Sequence, residues 1–106
     1  MPRRRSTPDR SYYVYVIELS DEVGPRVRPD RPSVYVGQSV QPPDVRFRQH
    51  REGYKSSRFV RKYGVRLRPR LYRSHNPLPT REAAEAEERE LGRRLRKRGY
   101  AVYGAH

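Results

Sequence analysis

Two short tyrosine-rich segments, Tyr12-Tyr-Val-Tyr-Val-Ile17 and Ser33-Val-Tyr-Val-Gly-Gln-Ser39, constrain the fold more than anything else in the chain. β-Branched and aromatic residues in such runs favour pleated, half-buried strands. Each tyrosine also carries a hydroxyl that must meet water or a partner, where Val or Ile would need neither. If the first strand alternates, Tyr13 and Tyr15 share one face and Tyr12 takes the other. Gly37, two residues after Tyr35, lets the chain turn or lets a backbone or ligand approach closely. Residues 20–32 between the segments hold three prolines and a glycine and read as a long loop. Two strands joined by one loop predict an antiparallel hairpin.

The rest of the chain supplies helices around that hairpin. Pro42-Pro-Asp44 opens a helix predicted to run to Glu52 and stop at Gly53. Ser56 or Ser57 caps a second, short helix with Phe59, Val60 and Tyr63 on one face and Gly64 at its end. Over residues 65–72, Val65, Leu67, Pro69 and Leu71 alternate with Arg66, Arg68, Arg70 and Tyr72. That predicts a strand with an arginine face, and Pro69 puts it on a sheet edge. Thr80 caps a long final helix ending at Gly99, and residues 100–103 can add a last short strand. Residues 1–10, basic and unpatterned, read as a mobile arm, and 11–106 as a single domain. The order β-β-α-α-β-α predicts a small mixed α+β domain.

At 106 residues the chain can build one modest core. Without cysteine it has no disulfide frame, thiolate metal site or cysteine nucleophile. No apolar run nears the roughly 18 residues that span a bilayer. No secretory apolar stretch follows Met1-Pro-Arg-Arg-Arg5, so the expected location is the cytoplasm. The 25 Lys and Arg exceed the 12 Asp and Glu by 13. Between Arg46 and Arg73 stand eleven basic residues and one acid, Glu52, so 10 of the 13 surplus charges lie in one stretch. Such a field attracts polyanions, and arginine grips phosphate bidentately. The partner this signature predicts is nucleic acid. Its expected contacts are Arg48, Lys55, Arg58, Arg61, Lys62, Arg66, Arg68 and Arg70.

The ordered motifs resemble a known family. Tyr13-Val-Tyr15 and Tyr35-Val-Gly37 are similar to the two signature tripeptides of GIY-YIG endonucleases, with Tyr13 where the first glycine belongs. Asp44-Val-Arg-Phe-Arg-Gln-His50 looks like the family's first helix, which carries a catalytic arginine and often a His or Tyr one turn on. Glu82-Ala-Ala-Glu-Ala-Glu-Glu-Arg-Glu-Leu91 looks like its metal-binding helix. The resemblance spans residues 12–104. It implies a three-stranded antiparallel sheet flanked by helices, and metal-dependent cleavage of nucleic-acid phosphodiesters. Three features depart from the pattern, the first being the long 20–32 loop between the hairpin strands. Gln38 and Ser39 stand where many members have lysine or another polar residue, and some members' last site asparagine has no counterpart near Tyr100 to His106.

Phosphodiester hydrolysis needs an activated water, charge relief on the phosphoryl oxygens and help for the departing oxygen. The resemblance makes Tyr35 the residue that positions or deprotonates the water. A tyrosine pKa is near 10, so that role needs adjacent positive charge, which Arg46 can supply. Tyr15 is the first motif's candidate, with Tyr12 and Tyr13 as competitors. Arg46 would stabilise charge on the pentacovalent phosphate. The run Arg-Phe-x-x-His matches the family's arginine, large apolar residue and His, and so favours Arg46 over Arg48. His50, one turn from Arg46, reaches the same site and could share the base work with Tyr35. Ala84, Leu91 and Leu95 put Glu88 on the apolar face of the last helix, where a carboxylate is costly unless paired or ligated. Glu87 is the rival metal ligand. One carboxylate with waters and substrate phosphate suits Mg²⁺ or Mn²⁺; a structural salt bridge from Glu88 to Arg46 or to a helix neighbour is the alternative.

Two functions compete. One is a small metal-dependent endonuclease acting on DNA, with the strandedness of the substrate open. The other is a non-catalytic nucleic-acid-binding module on the same scaffold. It would use Arg66, Arg68, Arg70 and Arg73 with Tyr54, Tyr63 and Tyr72 as stacking surfaces. Tyr35, Arg46 and Glu88 favour the first, because a pure binder needs none of them.

Overall fold

Tyr13–Leu19 forms strand β1 and Val34–Ser39 forms strand β2 in the computed structural model, which describes residues 11–105. The 1–10 arm lies outside the described residues. The two strands pair antiparallel as expected, with Tyr15 opposite Gly37 and Ile17 opposite Tyr35. Tyr15, Ile17, Tyr35 and Gly37 therefore share one face of the hairpin. Val14, Val16, Val34 and Val36 take the other and are fully buried. The 20–32 loop contains a 3₁₀ turn, Asp21–Val23, braced by Arg26 on Asp21 at 2.7 Å.

Helix α1, Pro43–Glu52, begins with Pro43 and Asp44 in its first turn and stops at Gly53. Gly53 has φ 86°, the left-handed conformation that glycine adopts without steric cost. Helix α2, Arg58–Tyr63, is capped by Ser57, whose hydroxyl accepts the Phe59 N–H at 3.1 Å. Strand β3, Gly64–Leu67, then pairs antiparallel with the outer side of β1.

The strand expected over 65–72 ends early, at Leu67. Arg68 still donates its N–H to the Val16 carbonyl, but Pro69 has no N–H to continue the ladder. It opens a 3₁₀ turn, Pro69–Leu71, and a second follows at Arg73–His75. The predicted arginine face is broken accordingly. Arg66 and Arg68 reach Glu18 at 4.0 and 3.0 Å, whereas Arg70 and Arg73 sit on the turns. Tyr72 is buried, so it offers no stacking surface. Beyond the turns, Asn76 replaces a strand neighbour for β1. Its Nδ2 donates to the Val14 carbonyl and its Oδ1 accepts the Val14 N–H, both at 2.8 Å.

Helix α3, Arg81–Lys97, is capped by Thr80, whose Oγ1 accepts the Ala83 N–H at 3.0 Å. Ala84, Glu88, Leu91 and Leu95 make its buried stripe at helical spacing. Strand β4, Val102–Gly104, then pairs parallel with β2. The sheet is thus four-stranded and mixed, in the order β3-β1-β2-β4, and not the three-stranded antiparallel sheet that the motifs implied. Three helices and β3 lie between β2 and β4, a crossover long enough to return the chain in the same direction. The class is α+β, as expected. Among the described residues no helix is long and apolar enough to cross a membrane.

Candidate active site

Tyr15 comes from β1, Tyr35 from β2, Arg46 and His50 from successive turns of α1, and Glu88 from the buried stripe of α3. All five line one cleft of about 340 Å³, and Gly37, Gln38 and residues 55–57 complete its wall. The rings of Tyr15, Tyr35 and His50 form a triangle with centroids 5.9 to 6.4 Å apart. Gly37 makes room for it. A Cβ at that position would stand 2.5 Å from the Tyr15 hydroxyl oxygen, so the phenol crosses β2 only over a glycine. Tyr13 lines a separate hollow beside Asp44 and Tyr72, and Tyr12 bridges to Leu78. Of the three candidates in the first motif, Tyr15 is the one in the cleft.

His50 is held at both ring nitrogens. The Ser57 backbone N–H donates to Nδ1 at 3.0 Å, so Nδ1 carries no proton and the neutral ring is protonated at Nε2. Nε2–H in turn donates to the Tyr15 hydroxyl oxygen at 2.9 Å. The ring is 1% exposed, and burial, followed by the nearby Arg46 charge, pushes its pKa down to about 4. At neutral pH His50 is uncharged, with neither nitrogen open to receive a proton. That geometry does not suit the expected share in base work. It makes His50 an orienting group that leaves the Tyr15 hydroxyl hydrogen for an acceptor in the cleft.

Both tyrosines titrate above the usual range. For Tyr15 burial is the main cause and Tyr35 adds to it, while Arg46 opposes by charge and hydrogen bond. For Tyr35 burial again leads; the Ser57 hydrogen bond and the Arg46 charge pull down, and Glu88 pushes up. Arg46 does lower Tyr35, as its position in the sequence suggested, but burial outweighs it. Both phenols are protonated at neutral pH.

The Arg46 guanidinium is anchored at the cleft wall. Nη1 donates to Gln49 Oε1 at 3.3 Å and to the Tyr54 carbonyl at 3.1 Å, and Nη2 donates to the Lys55 carbonyl at 2.6 Å. Neutral acceptors fix the group without cancelling its charge. Arg48 is exposed and lies outside the cleft. The two carboxylates separate as well. Glu88 is 7% exposed, lines the cleft and acts on both tyrosines. Glu87 turns instead to His75, whose Nδ1 lies 2.5 Å from its Oε2.

Among the described residues no three His, Asp or Glu side chains gather into a metal cage. A divalent cation at Glu88 would have one protein carboxylate and take its other ligands from water and a substrate phosphate. Mg²⁺ is commonly held on those terms, and the cleft's oxygen donors fit it.

Six of the eight basic residues expected to hold nucleic acid fall into two groups. Arg58, Arg61 and Lys62 line a surface hollow of about 460 Å³ on α2, which shares Ser56 with the cleft. Arg66, Arg68 and Arg70 line another, of about 500 Å³, beside β3. Gln38 lines the cleft, and Lys55 brings a cation there from the α1–α2 loop. Ser57 was missed as a site residue. Its place as a helix cap was readable, but a backbone N–H aimed at His50 leaves no mark on sequence. Comparison with family models, with curated proteins and with solved structures finds no match to this chain.

Proposed function

We propose that the protein is a metal-dependent endonuclease that hydrolyses DNA phosphodiesters in the manner of the GIY-YIG enzymes its motifs resemble. One observation carries this reading. Tyr15, Tyr35, Arg46, His50 and Glu88, distant in sequence, line a single polar cleft with Lys55 in its wall and further arginines beside it.

A scissile phosphate in this cleft meets the cations of Arg46 and Lys55. Arg46, already anchored by carbonyls, need not reorganise as negative charge grows on the phosphoryl oxygens. Tyr15, oriented by His50, donates its hydroxyl hydrogen to a non-bridging oxygen. Tyr35 binds the attacking water, and its phenolate fraction takes the water's proton. The water oxygen bonds to phosphorus, the bond to the leaving oxygen breaks, and that oxygen takes a proton from solvent. Held by Glu88, Mg²⁺ or Mn²⁺ would supply Lewis-acid charge relief.

The test is cleavage of supercoiled plasmid and of a single-stranded oligonucleotide, side by side, with Mg²⁺ and with chelator. Metal-dependent nicking is expected. Tight binding without cleavage under any divalent metal would replace this reading with the non-catalytic binding module.

A further inference from the structure

Arg46 and Lys55 stand on the wall between two hollows. One is the cleft; the other, of about 260 Å³, is also lined by Val40, Gln41, Gln49 and Tyr54. Among the described residues four large apolar side chains are exposed, and two of them, Tyr54 at 56% and Val40 at 39%, line this hollow. These two apolar side chains stand together in one concavity beside the cleft. Its polar groups are available. Gln49 spends only its Oε1, on Arg46, and no interaction among the described residues engages the Gln41 side chain. The Ser39 hydroxyl accepts the Gln41 N–H at 2.9 Å and shapes the approach.

An aromatic face, an aliphatic wall and two amides make the chemistry of a nucleobase site: the ring stacks and the amides meet the base edge. The Lys55 ammonium lies over the Tyr54 ring, 5.7 Å from its centroid, and so sets a cation beside the hollow. We propose, on the premise that the adjoining cleft is the nuclease site, that this hollow holds an unstacked base next to the cleaved phosphate. The preferred substrate is then a single-stranded or locally opened DNA segment. A base inside a duplex must first leave its stack, whereas a single strand presents it freely.

The test is direct binding in chelator, so that no turnover intervenes. The full chain, Tyr54→Ala and Tyr54→Phe are titrated against a short dye-labelled single strand and a hairpin duplex, with circular dichroism as the folding check. Tyr54→Ala should weaken single-strand binding about 5- to 150-fold, the range set by losing one stacked base. Duplex affinity should change less than about twofold, because backbone contacts dominate there. Tyr54→Phe should bind like the parent, since the ring alone stacks. An unchanged single-strand affinity in Tyr54→Ala, or equal losses on both ligands, overturns the proposal and leaves the nuclease reading standing. A parent protein that binds neither ligand overturns both.

Discussion

Gly37 and Tyr15 act as one device at the scale of single residues. The phenol reaches His50 only because nothing projects from β2 beneath it. Gly37→Ala forces that ring aside. Overpacking of this kind costs about 1–3 kcal/mol, which denaturant unfolding will measure. Cleavage should fall further than that cost explains, by about tenfold or more, because a catalytic hydroxyl is misplaced. Parent-like turnover in this variant would remove Tyr15 from the chemistry. Titration separates the other candidates. Tyr35 titrates above its usual range, so cleavage carried by its phenolate rises with pH through and beyond neutrality, with no plateau on the acid side of neutral. A rate that levels off just above pH 4, where folded His50 loses its proton, would return the base role to His50. Stability shows the opposite partner. The folded His50 pKa, about 4, lies below the unfolded value near 6.5, so the unfolded chain binds the extra proton between them. Stability is complete above pH 6.5 and is lost as pH falls toward 4, by about 3 kcal/mol over the window. Acid unfolding of the parent beside His50→Gln measures it.

Among the elements, α2 and β3 present similar numbers of basic residues in different states. Arg58, Arg61 and Lys62 on α2 have no carboxylate partner among the described residues, whereas Arg66 and Arg68 already meet Glu18. Replacing Arg58, Arg61 and Lys62 together by alanine should flatten the log–log salt dependence of DNA binding by about 2–3 units. The same treatment of Arg66, Arg68 and Arg70 should flatten it less, because two of those charges are partly neutralised. Equal flattening would mean that the track does not run along α2. The helices were readable because their ends are written in local chemistry: Pro43, Gly53, Ser57 and Thr80 each act within a turn of where they stand. The end of β3 was not, because the apolar–arginine alternation continues through residues whose backbone has already left the sheet. Pro69 marks a sheet edge, as expected, and β3 is the edge strand, but the same proline also ends it. The parallel pairing of β4 was not readable either, since it depends on where α3 delivers the chain.

Over the whole molecule, the connections bring positions 15, 35, 46, 50 and 88 to one cleft and leave Glu87 and Arg48 outside it. The ordered motifs, through the family they resemble, pointed to five of the cleft's side chains, and of these Glu88 stands out by its setting alone, a carboxylate on an apolar stripe. The spacing of Ala84, Leu91 and Leu95 favours Glu88 over its neighbour Glu87 but leaves Glu87 as a rival. One helical step of about 100° separates them, and only packing against His75 or the cleft decides which way each faces. That choice is also where the account is most exposed. The decisive measurement is Mg²⁺-dependent plasmid cleavage by the parent, Glu88→Ala and Glu87→Ala, with DNA affinity and circular dichroism recorded for each. The account predicts that Glu88→Ala loses cleavage while keeping its fold and its DNA affinity, and that Glu87→Ala cleaves like the parent. Full Mg²⁺-dependent cleavage by a folded Glu88→Ala protein would contradict it.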